Sequence, residues 1–73
     1  MRDSITINGY EFENCKDYEM YQCRGEMCYD EEHDEVPERG LWNAALILEK
    51  QLVEEGKDAS VSHSEKGWVE VSY

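Results

Sequence analysis

The chain has 73 residues, of which 40% are hydrophobic and 11% aromatic. That is enough apolar material for one small core spanning 1–73 and too much for a chain disordered throughout, but it leaves little room for a buried catalytic cleft, so an enzyme is not expected. Eighteen acidic residues against seven Lys and Arg give a formal net charge of -11, and a field of that sign repels DNA, RNA and anionic lipid while attracting basic protein surfaces.

The opening stretch MRDSITINGY has no apolar run of signal-peptide length, and no segment approaches the roughly 20 apolar residues of a membrane span. A cytoplasmic protein is expected, in the host cytoplasm if a phage encodes it. In that compartment three cysteines, an odd number, read as thiols or ligands and not as a disulfide framework.

In chain order, the first element is a hairpin in SITINGYEFE. Asn8-Gly9 suits a two-residue type I′ turn, in which both central residues take positive φ. This register pairs Ile7 with Tyr10 and Ile5 with Phe12 on one face, leaving Thr6 and Glu11 on the other.

The next stretch, CKDYEMYQCRGEMCYDEE, favours strands over a helix. A helical wheel of Phe12 to Cys23 scatters its apolar residues, whereas Tyr18, Tyr21, Cys23, Met27 and Tyr29 suit extended structure. Arg24-Gly25 is the expected turn of a middle hairpin. Residues 11–35 are expected to be the most loosely held part of the chain, because eleven acidic residues lie from Glu11 to Glu38 against only Lys16 and Arg24.

PERGLWNAALILEKQLVEEG reads as a helix. Pro37 suits its first turn, Glu38 suits the positive end of its dipole, and Gly56 suits a C′ stop. At about 100° per residue, Leu41, Trp42, Ala45, Leu46, Leu48, Leu52 and Val53 fall on one broad arc that should pack on a sheet. Glu49 lies inside that arc. Ile47 falls on the polar side among Asn43, Gln51 and Glu54, either as an ordinary exposed aliphatic or as a partner contact.

DASVSHSEKGWVEVSY reads as a C-terminal hairpin. A two-residue loop at Lys66-Gly67 would mix polar and apolar residues on both faces. A three-residue loop Glu65-Lys66-Gly67 with Gly67 left-handed pairs Ala59 with Tyr73, Val61 with Val71 and His63 with Val69, giving one apolar face. Trp68 then lies among Ser60, Ser62, Ser64, Glu70 and Ser72 on the polar face, where it either shields a sheet edge or anchors a partner. The expected architecture is α+β: an antiparallel sheet of roughly four to six strands with one helix across a face.

Cys15, Cys23, Cys28 and His33 give C-x7-C-x4-C-x4-H over about 19 residues, which resembles the loose spacing of CCCH zinc fingers. The resemblance implies a zinc-stapled alternative with those four ligands. The spacing departs from that family, which usually has three residues before the histidine, and the basic residues of an RNA-binding finger are replaced here by carboxylates. A chain with its own hairpins and helix also has less need of a metal, so no cofactor is expected and the thiols read as small core residues. The Cys28–His33 pair has no third group to make a nucleophile, and DEEHDE lacks EF-hand spacing.

What remains is carboxylates interleaved with tyrosines. Glu11, Glu13, Asp17, Glu19, Glu26, Asp30, Glu31, Glu32, Asp34 and Glu35, with Tyr18, Tyr21 and Tyr29, are the candidate partner-binding residues. Spaced carboxylates on a fixed scaffold can imitate nucleic-acid phosphates and occupy the basic groove of a nucleic-acid-binding protein. In size and charge the chain is similar to the DNA-mimic inhibitors by which bacteriophages block restriction or CRISPR complexes. That similarity implies a viral inhibitor of the anti-CRISPR kind with a protein partner and no direct contact to nucleic acid or membrane. The alternative is a regulatory or structural interaction protein with an apolar contact through Ile47 or Trp68. Both a monomer and a homodimer are open.

Overall fold

The computed structural model describes residues 3–25, 27, 28, 36–64 and 67–73. Its elements are β1 (Ser4–Ile7), β2 (Tyr10–Cys15), β3 (Met20–Arg24), β4 (Met27–Cys28), β5 (Val36–Pro37), α1 (Arg39–Glu54), β6 (Ser60–His63) and β7 (Trp68–Ser72). Five strands form an antiparallel sheet in the order β1-β2-β3-β7-β6, and β4 pairs with β5 in a separate two-residue ladder. α1 lies across one face, so the fold is α+β.

Both terminal hairpins follow from their turns. Asn8 and Gly9 have φ of 53° and 85°, and β1 meets β2 with Ile7 opposite Tyr10 and Ile5 opposite Phe12. At the other end Gly67 has φ of 82°, and Val61 meets Val71 with His63 opposite Val69. Because a strand repeats every two residues, these registers send Ile7, Phe12, Val69 and Val71 to the helix side together.

The middle hairpin turns earlier than Arg24-Gly25. Lys16–Tyr18 form a single 3-10 turn, Glu19 takes the left-handed conformation with φ of 51°, and Asn14 then faces Tyr21 across β2 and β3. No Gly or Asn announces this turn. It is closed by the Glu19 N–H donating to Lys16 O and by the Tyr73 N–H donating to Glu19 O at 2.9 Å, so the C-terminal strand holds a glutamate where local preference would place glycine. Residues 11–24, expected to be loosely held, therefore supply two inner strands of the sheet.

The helix starts later than expected. Pro37 lies in the β4–β5 ladder and Glu38 is the N-cap, with ψ of 147°. Its end is as expected: Gly56 has φ of 91°, its N–H donates to Val53 O, and the Lys57 N–H donates to Leu52 O, both at 3.0 Å. This double bond pattern is a Schellman stop. Gly56→Ala is expected to cost about 1 kcal/mol through left-handed strain, read as a shift in the urea midpoint.

The buried side of α1 is Leu41, Ala44, Ala45, Leu48 and Leu52. Leu46 and Val53, placed by the wheel on the packing arc, are instead 41% and 53% exposed. The helix is turned so that two alanines face the strands, which lets its backbone approach the sheet closely, and one edge of the arc is left without cover. Trp42 stays half-buried with its ring edge-on to His63, centroids 5.7 Å apart. Glu49 is half-buried.

Candidate functional site

Strand parity builds a polar surface on the sheet face opposite α1. Across the strands, Ser4, Glu13, Gln22, Glu70 and Ser62 form one row. Cys15, Met20, Ser72 and Ser60 form the row on one side. On the other side Thr6 faces Glu11 and Arg24 faces Trp68. Among the described residues no element covers this face.

Gln22 organises the centre. Its Nε2 donates to Glu70 Oε1 at 3.3 Å, and the Cys15 thiol donates to its Oε1 at 3.1 Å. Its position between Glu13 and Glu70 sets their backbones two strands apart, about 10 Å, while those of Glu11 and Glu13 are about 7 Å apart along β2. Trp68, half-buried, lines a shallow depression of about 360 Å³ together with Glu11, Glu13, Gln22 and Arg24. Arg24 is the cation of this surface; Lys16, at the adjoining turn, is in an ion pair with Asp3 at 3.1 Å, an exposed contact that adds well under ~1 kcal/mol to stability.

The expected contact residues separate into groups. Glu11, Glu13 and Trp68 are on the open face. Asp17, Tyr18 and Glu19 are exposed on the 3-10 turn at its end, Tyr18 at 74%. Ile47 is 40% exposed on α1, on the far side of the molecule, and belongs to no common surface with them. Glu26, Tyr29, Asp30, Glu31, Glu32, Asp34 and Glu35 lie outside the described residues.

Tyr21 is corrected: it is 3% exposed, and its ring packs on Tyr73 with centroids 5.3 Å apart. Its strand position sends it to the helix side, so it is a core residue and not a surface contact. Tyr73 is fixed in turn, donating its hydroxyl to Asn14 Oδ1 at 2.8 Å under the Lys57 ammonium. Glu70 was missed as a site residue. The alternation of WVEVS places it beside Trp68's face, which was the available signal.

The four-ligand zinc set is also corrected in part. Cys15 is on the open face with Met20, whereas Cys23 is buried on the helix side, so these two sulfurs point to opposite sides of the sheet and cannot bind one ion. His33 and the Cys28 side chain lie outside the described residues. Among the described residues no group of three or more His, Cys, Asp or Glu side chains is arranged to hold a metal.

Two groups on the helix side titrate upward. Burial raises the Cys23 thiol, and the carboxylates of Glu11, Glu38 and Glu13 add to it. Tyr10 donates its hydroxyl to Glu38 at the start of α1, and that bond, then desolvation and the charges of Glu38 and Cys23, raise its pKa above 10.0. Both groups hold their protons longer folded than unfolded. Their contribution is therefore complete below the unfolded values and is lost as pH rises through the folded ones. The urea midpoint is expected to fall above about pH 9, and Tyr10→Phe should lessen the fall above about pH 10. An identical decline in Tyr10→Phe would contradict the Tyr10–Glu38 bond.

The thiols should differ in reactivity for the same reason. In native protein near pH 8, iodoacetamide is expected to label Cys15 while Cys23 reacts only as fast as the core opens, resolved by peptide mass spectrometry.

Among the described residues no helix is long and apolar enough to cross a membrane. Comparison with protein-family models, with curated proteins and with solved structures finds no match to this chain.

Proposed function

We propose that the protein is a small acidic recognition domain that binds a basic surface of a protein partner through its helix-free sheet face. The observation supporting this is the arrangement of Glu11, Glu13 and Glu70 around Gln22 and Trp68 on a hydrogen-bonded five-strand scaffold. Spacing set by strand geometry costs little further entropy on binding, and a half-buried tryptophan supplies an apolar anchor beside the charges. The partner surface that fits is one that ordinarily holds nucleic-acid phosphates, with the acidic residues of 26–35 adding to the attraction. On this reading the protein is an inhibitor that competes with nucleic acid, of the phage anti-defence kind.

The test is a pull-down from candidate host lysate, eluted in salt steps and repeated with competing duplex DNA. A nucleic-acid-binding protein should be captured, released by salt and displaced by DNA. With that partner in hand, exchanging Glu11, Glu13 and Glu70 for Gln is expected to weaken binding about tenfold at low salt, and exchanging Glu31, Glu32, Asp34 and Glu35 for Gln and Asn should weaken it further. Unchanged affinity in both variants would end the proposal.

A further inference from the structure

The depression beside Trp68 brings an aromatic ring and two carboxylates together and leaves all three without a cation. β7 sets Trp68 on the open face and holds it half-buried. β2 sets Glu11 and Glu13, both exposed, on the same side, and the three residues line one depression of about 360 Å³. Gly9, also in its wall, has open space around it.

Arg24 stands where it could fill this role. It lies opposite Trp68 across β3 and β7, and continuing the β2–β3 register two residues past Glu13 and Gln22 brings it level with Glu11. Its guanidinium nevertheless serves neither group. Among the described residues the ion pair is Lys16 with Asp3, and the cation over a ring is Lys57 on Tyr73. Glu70 accepts a hydrogen bond from Gln22, whereas among the described residues Glu11 and Glu13 have no such donor.

We infer that the depression receives an arginine side chain of the partner, its guanidinium stacked on the Trp68 indole and its N–H edge donating to Glu11 and Glu13. This rests on the reading of the open face as the surface that meets a basic protein, and it names the side chain that anchors the contact. A guanidinium is flat and weakly hydrated, so it lies on an indole while its edge stays free to donate to carboxylates. A lysine ammonium is a compact, strongly hydrated charge that must give up water to reach the ring. Arg24 sharpens the difference. Two carboxylates against one guanidinium leave the depression only one negative charge, so a point charge gains little there and stacking decides. Surfaces that hold nucleic-acid phosphates use arginine for the same bidentate geometry.

Fluorescence anisotropy of labelled hexa-arginine and hexa-lysine amides, titrated with the full chain at about 20 mM salt, tests it. The peptides carry equal charge, so a difference between them isolates the guanidinium. Hexa-arginine should bind at least about fivefold more tightly. Trp68→Leu should bring the two peptides within about twofold of each other, and Trp68→Tyr, which keeps a ring, should retain most of the preference. Glu11→Gln combined with Glu13→Gln leaves the ring in place and changes only exposed positions, so it should melt as cooperatively as the parent. It should also reduce the preference to within about twofold. In proton–nitrogen correlation spectra the Trp68 indole signal, assigned through Trp42→Phe, should move as hexa-arginine is added.

Equal affinity for the two peptides, an arginine preference that survives Trp68→Leu or the double glutamine exchange, or a Trp68 signal that stays still would each overturn the inference, while charge-driven recognition by the open face would stand. Failure of both peptides to bind would end that reading and the inference with it.

Discussion

Phe12→Ala is expected to remove about 3–5 kcal/mol of stability. For a chain of 73 residues the total is roughly 4–11 kcal/mol, so this one change should leave a large fraction unfolded at ambient temperature. Phe12 is the sole phenylalanine of the sequence and is fully buried, in one cluster with Cys23, Leu41, Leu48 and Val69. It stands on an inner strand under the helix, where neighbours hydrogen-bonded on both sides have little freedom to collapse into the space it leaves. Urea denaturation followed by circular dichroism measures the loss directly. A value under about 1 kcal/mol would mean that the sheet and helix do not share this core.

Gly25→Ala is expected to cost about 1–3 kcal/mol by overpacking. A Cβ at this position would clash with the Leu41 side chain and come within 3.3 Å of Glu38 Oε1. Leu41 is fully buried and cannot swing away, and the backbone cannot retreat easily because the Gly25 N–H donates to Gly67 O at 3.0 Å. The conformation of Gly25 is not left-handed, so the cost is steric. Two comparisons isolate it. Gly9→Ala, with φ of 85° but open space around it, should cost only about 1 kcal/mol of backbone strain. Combining Gly25→Ala with Leu41→Ala should be clearly less damaging than the sum of the two, because the truncated leucine makes room for the new methyl. Strict additivity would show that the two residues do not touch.

The glycine shows how a correct residue can be given the wrong role. Arg24-Gly25 reads as a turn because glycine in a strand-like stretch is most often a turn residue. Its position is set by α1, which passes so close that only hydrogen fits. No pattern within residues 13–28 contains that information. The 3-10 turn at Lys16–Tyr18 escaped notice for the complementary reason: its left-handed residue is Glu19, held by a hydrogen bond from Tyr73 at the far end of the chain.

The open face was partly legible. Glu11 and Trp68 were placed on polar faces by alternation within their own hairpins, since each hairpin has a turn whose residues dictate the register, and the structure adds Glu13 to the same face as Glu11. That the two hairpins present a single surface depends on β3 lying between them. Gln22 bonds Glu70, 48 positions away, and this pairing of β3 with β7 has no local signature. The same pairing decided that Tyr21 is core and that Cys15 and Cys23 face opposite sides.

By itself the sequence determined the two terminal hairpins, the Gly56 stop and the existence of one helix, as well as the net acidity of the chain. Each is a property of a few adjacent residues or of a sum over the chain: the sign of φ at Asn8, Gly9, Gly56 and Gly67, periods of two and of 3.6, and a count of charges. The tertiary structure alone decided the middle turn, the rotation of α1 that buries Ala44 and exposes Leu46 and Val53, and the assembly of Glu11, Glu13 and Glu70 on one surface. These depend on contacts between residues far apart in the chain, whose energies enter only once the sheet has closed and the helix has docked on it.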